Sequence, residues 1–119
     1  MIGRLIALLF FSREVAHREH LKTRSYAEHV ALNEFYDAIV GNADSIAEAY
    51  QGRHGLIGPI SLMSPKKTSN IIEFLEASLA EVEDMRYKVV KKEDTSLQQL
   101  IDNIVELYLT TLYKLKFLA

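Results

Sequence analysis

The sequence predicts an all-α protein folded as an antiparallel four-helix bundle. Apolar residues recur three and four positions apart along most of the 119 residues, which is the periodicity of helices with one buried face. Both prolines and three of the five glycines fall between residues 52 and 65, the one clear break in the chain. A chain of this length forms one domain, so we expect a single unit over residues 1–119. The patterns place helices at about 2–21, 26–51, 66–90 and 95–118.

The first two helices, A and B, are predicted to form a hairpin. Helix A carries Ile2, Leu5, Ile6, Leu9 and Val15 near one face. Its apolar run, LIALLFF, is too short for a membrane span, which needs about 20 apolar residues, so we read it as a buried helix and expect a cytoplasmic protein without a membrane partner. The segment SYAE at 25–28 predicts a capping box that opens helix B, and the glycine at 52 is expected to end it.

The second hairpin, helices C and D, follows the glycine-rich break. Two signals compete for the start of helix C, Ser64-Pro65 and Asn70 with Glu73. Thr95 with Gln98 predicts a capping box that opens helix D. Short A–B and C–D links favour antiparallel neighbours, while the longer B–C link is free to cross the bundle.

Composition and charge exclude several classes of function. The chain has no cysteine, so neither a disulfide framework nor a thiolate metal site is available. Any metal would be held by histidine and carboxylate, a donor set that suits iron, zinc or manganese. The net charge of -2 gives no general attraction to nucleic acid. The sequence shows no Ser-His-Asp arrangement, P-loop or dinucleotide fingerprint.

Helix B carries a second, polar stripe. When its residues are placed at about 100° each around the helix axis, the polar stripe falls beside the apolar face rather than opposite it. The stripe consists of His29, Asn33, Asp37, Asp44 and Glu48. The position on the flank of the core predicts an isologous contact with a second copy of the helix. The alternative interpretation is that these are ordinary polar residues beside a core.

Spacing along the stripe predicts metal sites shared between two chains. His29 with Asn33 and Asp44 with Glu48 are each four apart, so the side chains of each pair can share a ligand. The two pairs are about 22 Å apart along one helix at 1.5 Å per residue, too far for one ion. An antiparallel second copy would bring Asp44 and Glu48 of one chain towards His29 of the other. His17, near the A–B turn, would join the histidine end.

The remaining histidines offer other arrangements. Glu14-Val-Ala-His17 is an E-x-x-H, but helices C and D contain no histidine to complete an intrachain di-iron site. His17 and His20 are three apart, and we favour His17 as a ligand and His20 as its neighbour. His54, among the glycines at 52 and 55, is expected to lie exposed in a loop.

At this point the chain resembles the Dps proteins, the mini-ferritins of the ferritin superfamily. His17 and His29 are twelve apart, and the sequence DSIAE at 44–48 begins fifteen after His29 and is similar to the D-x-[IM]-A-E of that family. NEFYD at 33–37 resembles its D/E-E-L-Y-D, and LYKLKFL near the C-terminus resembles its L-W-M-L-R-A-F-L. The likeness covers residues 10–55 best and is poor between 56 and 95.

The resemblance implies a ferritin-like fold and a ferroxidase. Ferrous iron would bind at a dimer interface, held by His17, His29 and Asn33 of one chain and by Asp44 and Glu48 of its partner. His17, His29, Asp44 and Glu48 would carry the oxidation, typically by hydrogen peroxide, with storage or detoxification of ferric iron inside a twelve-subunit shell. Zinc or manganese would be substitute metals.

Departures from the family pattern define the alternative function. Asn33 replaces an acid and Arg18 replaces a tryptophan, and no lysine-rich segment precedes helix A. Asn33 offers a carbonyl oxygen but no charge, so iron should be held more weakly. The alternative is a non-catalytic helical assembly protein that keeps the dimer interface without efficient iron oxidation. We expect no DNA binding, because the basic footprint is missing.

Overall fold

The computed structural model describes residues 1–63 and 70–118. Those residues form four helices and no strand, which confirms the predicted all-helical fold: α1 spans Ile2–Lys22, α2 Tyr26–His54, α3 Ile71–Val89 and α4 Thr95–Phe117. The rival start of helix C at Ser64-Pro65, and the predicted boundary at 66, lie outside the described residues. In the described part, α3 begins after Asn70, whose side chain accepts the Glu73 N–H at 2.9 Å.

The predicted end of helix B and the predicted cap of helix D differ from the structure, although α4 begins at Thr95 as predicted. Helix α2 continues through the glycine at 52 to His54 and ends at Gly55, which adopts φ of 95°, a conformation that favours glycine. His54 therefore lies on the helix rather than in a loop. At α4 the cap is Asp94, not Thr95, because the Asp94 side chain accepts the Leu97 N–H at 3.3 Å.

Gln98 does not form the predicted capping box, because its side chain bonds to residues at the end of α3 instead. Its side-chain oxygen accepts the Arg86 Nε–H at 2.8 Å, and its amide donates to the Val90 carbonyl at 3.1 Å. Carbonyls in the last turn of a helix have no intrahelical partner, so this buried amide satisfies one of them. Ser25, in contrast, caps α2 as predicted by accepting the Glu28 N–H at 3.2 Å.

The helices surround one core. Helix α1 packs against α2 and α3, and α4 packs against the same two helices, so the order around the core is α1, α2, α4, α3. The predicted apolar faces supply most of this core, including the N-terminal run, where Leu5, Ile6 and Leu9 are fully buried. No helix in the described ranges has an apolar stretch long enough to cross a membrane.

Tyr108 joins three helices at the centre. Its ring contacts Phe35 of α2 edge-on at 5.2 Å between ring centroids, and its hydroxyl donates to Ser12 Oγ of α1 at 2.6 Å. The side chains of Tyr108 and Ser12 are both buried. Burial raises the pKa of the Tyr108 phenol well above its ordinary value, a rise that the Ser12 bond opposes and the Glu81 charge reinforces, so the phenol remains a donor at physiological pH.

We expect Tyr108→Phe to lower the free energy of unfolding by about 1 kcal/mol, because it removes the bond and leaves the Ser12 hydroxyl without its partner. The double variant Tyr108→Phe/Ser12→Ala should cost less than the sum of the two single changes. Urea unfolding measures all three variants, with Tyr87→Phe at an exposed tyrosine as the control. Additive single effects would show that the two hydroxyls are not coupled.

Candidate functional site

The α1–α2 corner brings two histidines into direct contact. His20 lies in the last turn of α1 and His29 in the first turns of α2, separated by a link of three residues. The link is short because α1 ends at Thr23, whose N–H donates to the Glu19 carbonyl at 2.8 Å, and Ser25 already caps α2. The two imidazole rings stack with centroids 3.6 Å apart and planes 18° from parallel.

The two rings bond reciprocally to each other's backbone. His20 Nδ1 lies 2.7 Å from the His29 carbonyl oxygen, and His29 Nδ1 lies 2.8 Å from the His20 carbonyl oxygen. A carbonyl only accepts, so each Nδ1 must carry the proton. In the neutral rings Nε2 is then left with the lone pair, which is the form of histidine that binds metals.

His17 lies one turn before His20 but points at a different partner. Its ring stacks on Tyr36 at 4.3 Å between centroids and lies 6.0 Å from the His20 ring. Arg13 covers the Tyr36 ring at 5.5 Å. The sequence interpretation favoured His17 over His20; in the structure the buried His20 contacts His29, and His17 is half-buried against Tyr36.

Asn33, the next predicted ligand on α2, is engaged within its own helix. Its carbonyl oxygen accepts the Tyr36 hydroxyl at 2.6 Å, and its amide donates to Asp37 Oδ2 at 3.2 Å. Tyr36 therefore contacts both His17 and Asn33. A metal at this position would share the Asn33 oxygen with the Tyr36 hydroxyl.

Asp44 and Glu48 lie exposed one turn apart in the second half of α2. Neither carboxylate forms an ion pair or hydrogen bond with the described part of the chain. Among residues 1–63 and 70–118, no three His, Asp or Glu side chains are grouped closely enough to hold a metal ion. A single chain thus supplies two separate halves of the predicted site.

The three acids of the polar stripe on α2 face solvent rather than flank the core, while His29 and Asn33 are half-buried. Asp37, Asp44 and Glu48 are exposed, whereas Ala31 is buried and Ala49 packs against the core. The predicted position beside the apolar face assumed that the buried sector of α2 is no wider than its apolar stripe. Helix α2 contacts both α1 and α4, so its buried sector is wider than the apolar stripe and the polar residues lie opposite it. The flank position therefore no longer supports a second copy.

The remaining acids near the corner have local partners. Glu14, of the E-x-x-H motif, pairs with Arg18 at 3.0 Å and with Arg13 at 3.2 Å. Burial, reinforced by repulsion from Glu19, raises the pKa of the Glu28 carboxyl. Neither carboxylate is directed at the histidine pair by any contact in the described chain.

Comparison with known proteins assigns a family. A model described as a family of unknown function, DUF5856, matches residues 20–115. The chain belongs to DUF5856. The matched range begins at His20 and includes His29, Asn33, Asp44 and Glu48, whereas His17 precedes it. No curated protein and no solved structure matches the chain.

The chain also contains a groove that the sequence did not predict. It has a volume of about 1070 Å³ and lies between α1, α3 and the link after α2, lined by side chains that include Leu8, Phe11, Ile57, Met63 and Phe74. The signal that indicates it is the density of apolar residues in the glycine- and proline-rich link. The groove reaches Tyr50 and His54 at the end of α2, so the length of α2 separates it from the histidine pair.

We expect both His20 and His29 to exist as Nδ1-protonated tautomers once their rings are neutral, because each Nδ1 donates to a backbone carbonyl. Nitrogen-15 correlation spectra at mildly alkaline pH would report the lone pair on Nε2 of both rings. The exposed His54, whose ring contacts Tyr50 and makes no hydrogen bond within the described residues, is the control and should show the ordinary mixture of tautomers. An Nε2-protonated His29 would contradict the reciprocal bonding.

Proposed function

We propose that this DUF5856 protein is a Dps-like iron protein that binds ferrous iron, as its substrate, at sites shared between two chains. The observation that carries the proposal is the division of the donors into two halves on one helix. One half is His29, whose Nε2 keeps its lone pair because Nδ1 carries the proton. The other half is the pair of exposed carboxylates of Asp44 and Glu48, one turn apart. Histidine nitrogen and carboxylate oxygen suit ferrous iron.

The proposal includes an antiparallel, ferritin-like arrangement of the four helices. Contacts between residue pairs support it. On α1 and α3, Phe11 packs on Phe74 while the earlier Arg4 pairs with the later Glu81. On α2 and α4, Arg53 pairs with Asp94 and the earlier Glu34 pairs with the later Lys114. The 16-residue link between α2 and α3 leaves enough chain to cross the bundle.

The two-fold contact would use the exposed face of α2. An antiparallel pairing that brings residue 29 opposite residues 44–48 places its axis near Asp37. Gly41 belongs to this face, and a Cβ built there would meet nothing within 4 Å. The pairing also brings the two Asp37 carboxylates towards each other. Within the described residues each of them accepts one hydrogen bond, from its own Asn33 amide, to offset the repulsion.

At such a site the protein's residues would hold iron and leave room for the oxidant. His29 and His17 of one chain would supply neutral nitrogens, and Asp44 and Glu48 of the partner would supply the negative charge that a cation requires. Two ferrous ions would each give up one electron, and hydrogen peroxide would take both electrons with two protons to form two waters. The ferric product would then be stored or released.

A second function, a non-catalytic helical assembly protein, is favoured by Asn33. The acid of the Dps pattern is missing there, and the amide that replaces it is already bonded to Tyr36 and Asp37. Under this alternative the exposed face of α2 would mediate assembly, and ferrous iron would bind no more tightly than to scattered surface carboxylates.

Mixing two inactive chains tests whether the site is shared. We expect His17→Phe/His29→Asn and Asp44→Asn/Glu48→Gln each to lose tight ferrous binding, because every site in either homodimer lacks one half. Refolded mixtures should recover binding, since each mixed dimer contains one intact site. Anaerobic calorimetric titration with ferrous iron, followed by oxidation with peroxide, gives the readout.

The matched control is Glu83→Gln/Asp84→Asn, an equal loss of charge on the exposed surface of α3. It should bind and oxidise iron like the unmodified chain. If the mixture does not recover ferrous binding although sedimentation shows dimers, the shared site is wrong and the assembly function is supported. If the unmodified chain is monomeric, both functions fail.

Exchanging two side chains should strengthen the site without changing composition. Asn33→Asp/Asp37→Asn places the carboxylate at the family's ligand position and removes it from the proposed axis. We expect ferrous affinity to rise by about tenfold, because the added charge binds the cation directly. Titration with ferrous iron measures the change, and an affinity equal to that of the unmodified chain would exclude position 33 from the site.

A further inference from the structure

Helix α4 exposes an apolar stripe that no other helix covers in the described chain. Leu109, Tyr113 and Phe117 are four residues apart, so they line one face, and they are 52%, 55% and 72% exposed. The rings of Tyr113 and Phe117 lie 6.1 Å apart between centroids. With the neighbouring Leu118, the stripe presents roughly 400 Å² of apolar surface, the size of patch that commonly marks an interaction site.

Charged residues along α4 are divided between the two ends of this face. Exposed acids, Asp102 and Glu106, precede the stripe, and two lysines, Lys114 and Lys116, accompany its end. The lysines pair with Glu34 of α2 and Glu76 of α3, on either side of α4. A parallel copy of α4 would oppose like charges, whereas an antiparallel copy would bring acids to lysines.

We propose that the stripe is a second two-fold interface, at which α4 packs antiparallel against α4 of another copy of this chain. An axis between Leu109 and Tyr113 places each of these residues opposite the other on the partner. The same register brings Glu106 level with Lys116 and Val105 level with Phe117. The face is therefore complementary to itself in charge and apolar along its centre, as an isologous contact requires.

The area of this contact determines its role. A pair of stripes buries about 800 Å² in total, below the 1,200–2,000 Å² of a typical stable complex. The α4 contact alone is thus weak, with a dissociation constant in the micromolar range or above. On chains already paired through α2, two such contacts act together and link dimers into a larger assembly. The α4 contact itself does not depend on the iron site.

Charge reversal across the proposed axis provides a decisive test. The experiment is done in a Gly41→Arg background, which blocks the α2 face and leaves the folded chain intact, because the space around that glycine is open. In this background the otherwise unmodified α4 should associate at micromolar concentration in sedimentation experiments. Glu106→Lys alone and Lys116→Glu alone should each be monomeric, because every pair across the axis is then alike in charge.

Mixing these two variants should restore association, since both pairs in the mixed dimer are then opposite in charge. Circular dichroism of each variant verifies the fold, which matters for Lys116→Glu because Lys116 also pairs with Glu76. The inference is overturned if mixing fails to restore association, or if either variant associates as well as the parent. Monomeric parent chains that co-sediment with phosphatidylcholine vesicles would also overturn it, by assigning the stripe to a lipid surface.

The same mass measurements distinguish failure of the α2 contact from failure of the α4 contact. If the α2 contact of the proposed function is wrong, Gly41→Arg will leave the mass of the full chain unchanged while Glu106→Lys still lowers it. If the α4 contact is wrong, Glu106→Lys will leave the mass of the full chain unchanged while Gly41→Arg still lowers it. The full chain with both faces intact should exceed a dimer in mass.

Discussion

The α1–α2 corner depends on a closed pair of hydrogen bonds between His20 and His29. Each imidazole donates to the main chain of the other, so rotating either ring breaks the bond that its Nδ1 makes. The carbonyl of His20 lies in the last turn of α1, where carbonyls lack helical partners, and the His29 ring supplies the missing donor. The pair thus supplies a donor to a carbonyl in the last turn of α1, joins α1 to α2 and selects the nitrogen that each ring leaves available.

The sequence was sufficient for the helices because their apolar periodicity and caps are local properties. Ser25 and Asn70 cap α2 and α3 through bonds three residues away, which a short motif records. The wrongly predicted cap of α4 has the opposite origin. The local motif predicts Gln98 as half of a capping box, yet its amide donates to the Val90 carbonyl at the end of α3, a contact that exists only after the helices pack. Asp94 lay one position away from the residue that the motif favoured.

The candidate site was less predictable for a related reason. Spacing along α2 identifies which residues share a side of the helix, but not which side is buried. That depends on how many neighbours the helix has, and α2 has two. The pairing of His20 with His29 also escaped prediction, because the spacing of nine residues across a turn belongs to no helical or metal motif. That these histidines and carboxylates bind iron remains a prediction, which rests on their chemistry and on the resemblance to Dps proteins.

Helix α2 continues three residues beyond its predicted end, and one of these residues, Arg53, contacts the start of α4. The Asp94 carboxylate bonds Arg53 with one oxygen and the Leu97 N–H with the other. The final turn of one helix and the opening turn of another thus share a single side chain. These two turns should consequently fray together, so that local unfolding at either one loosens both and amide exchange there proceeds as one event.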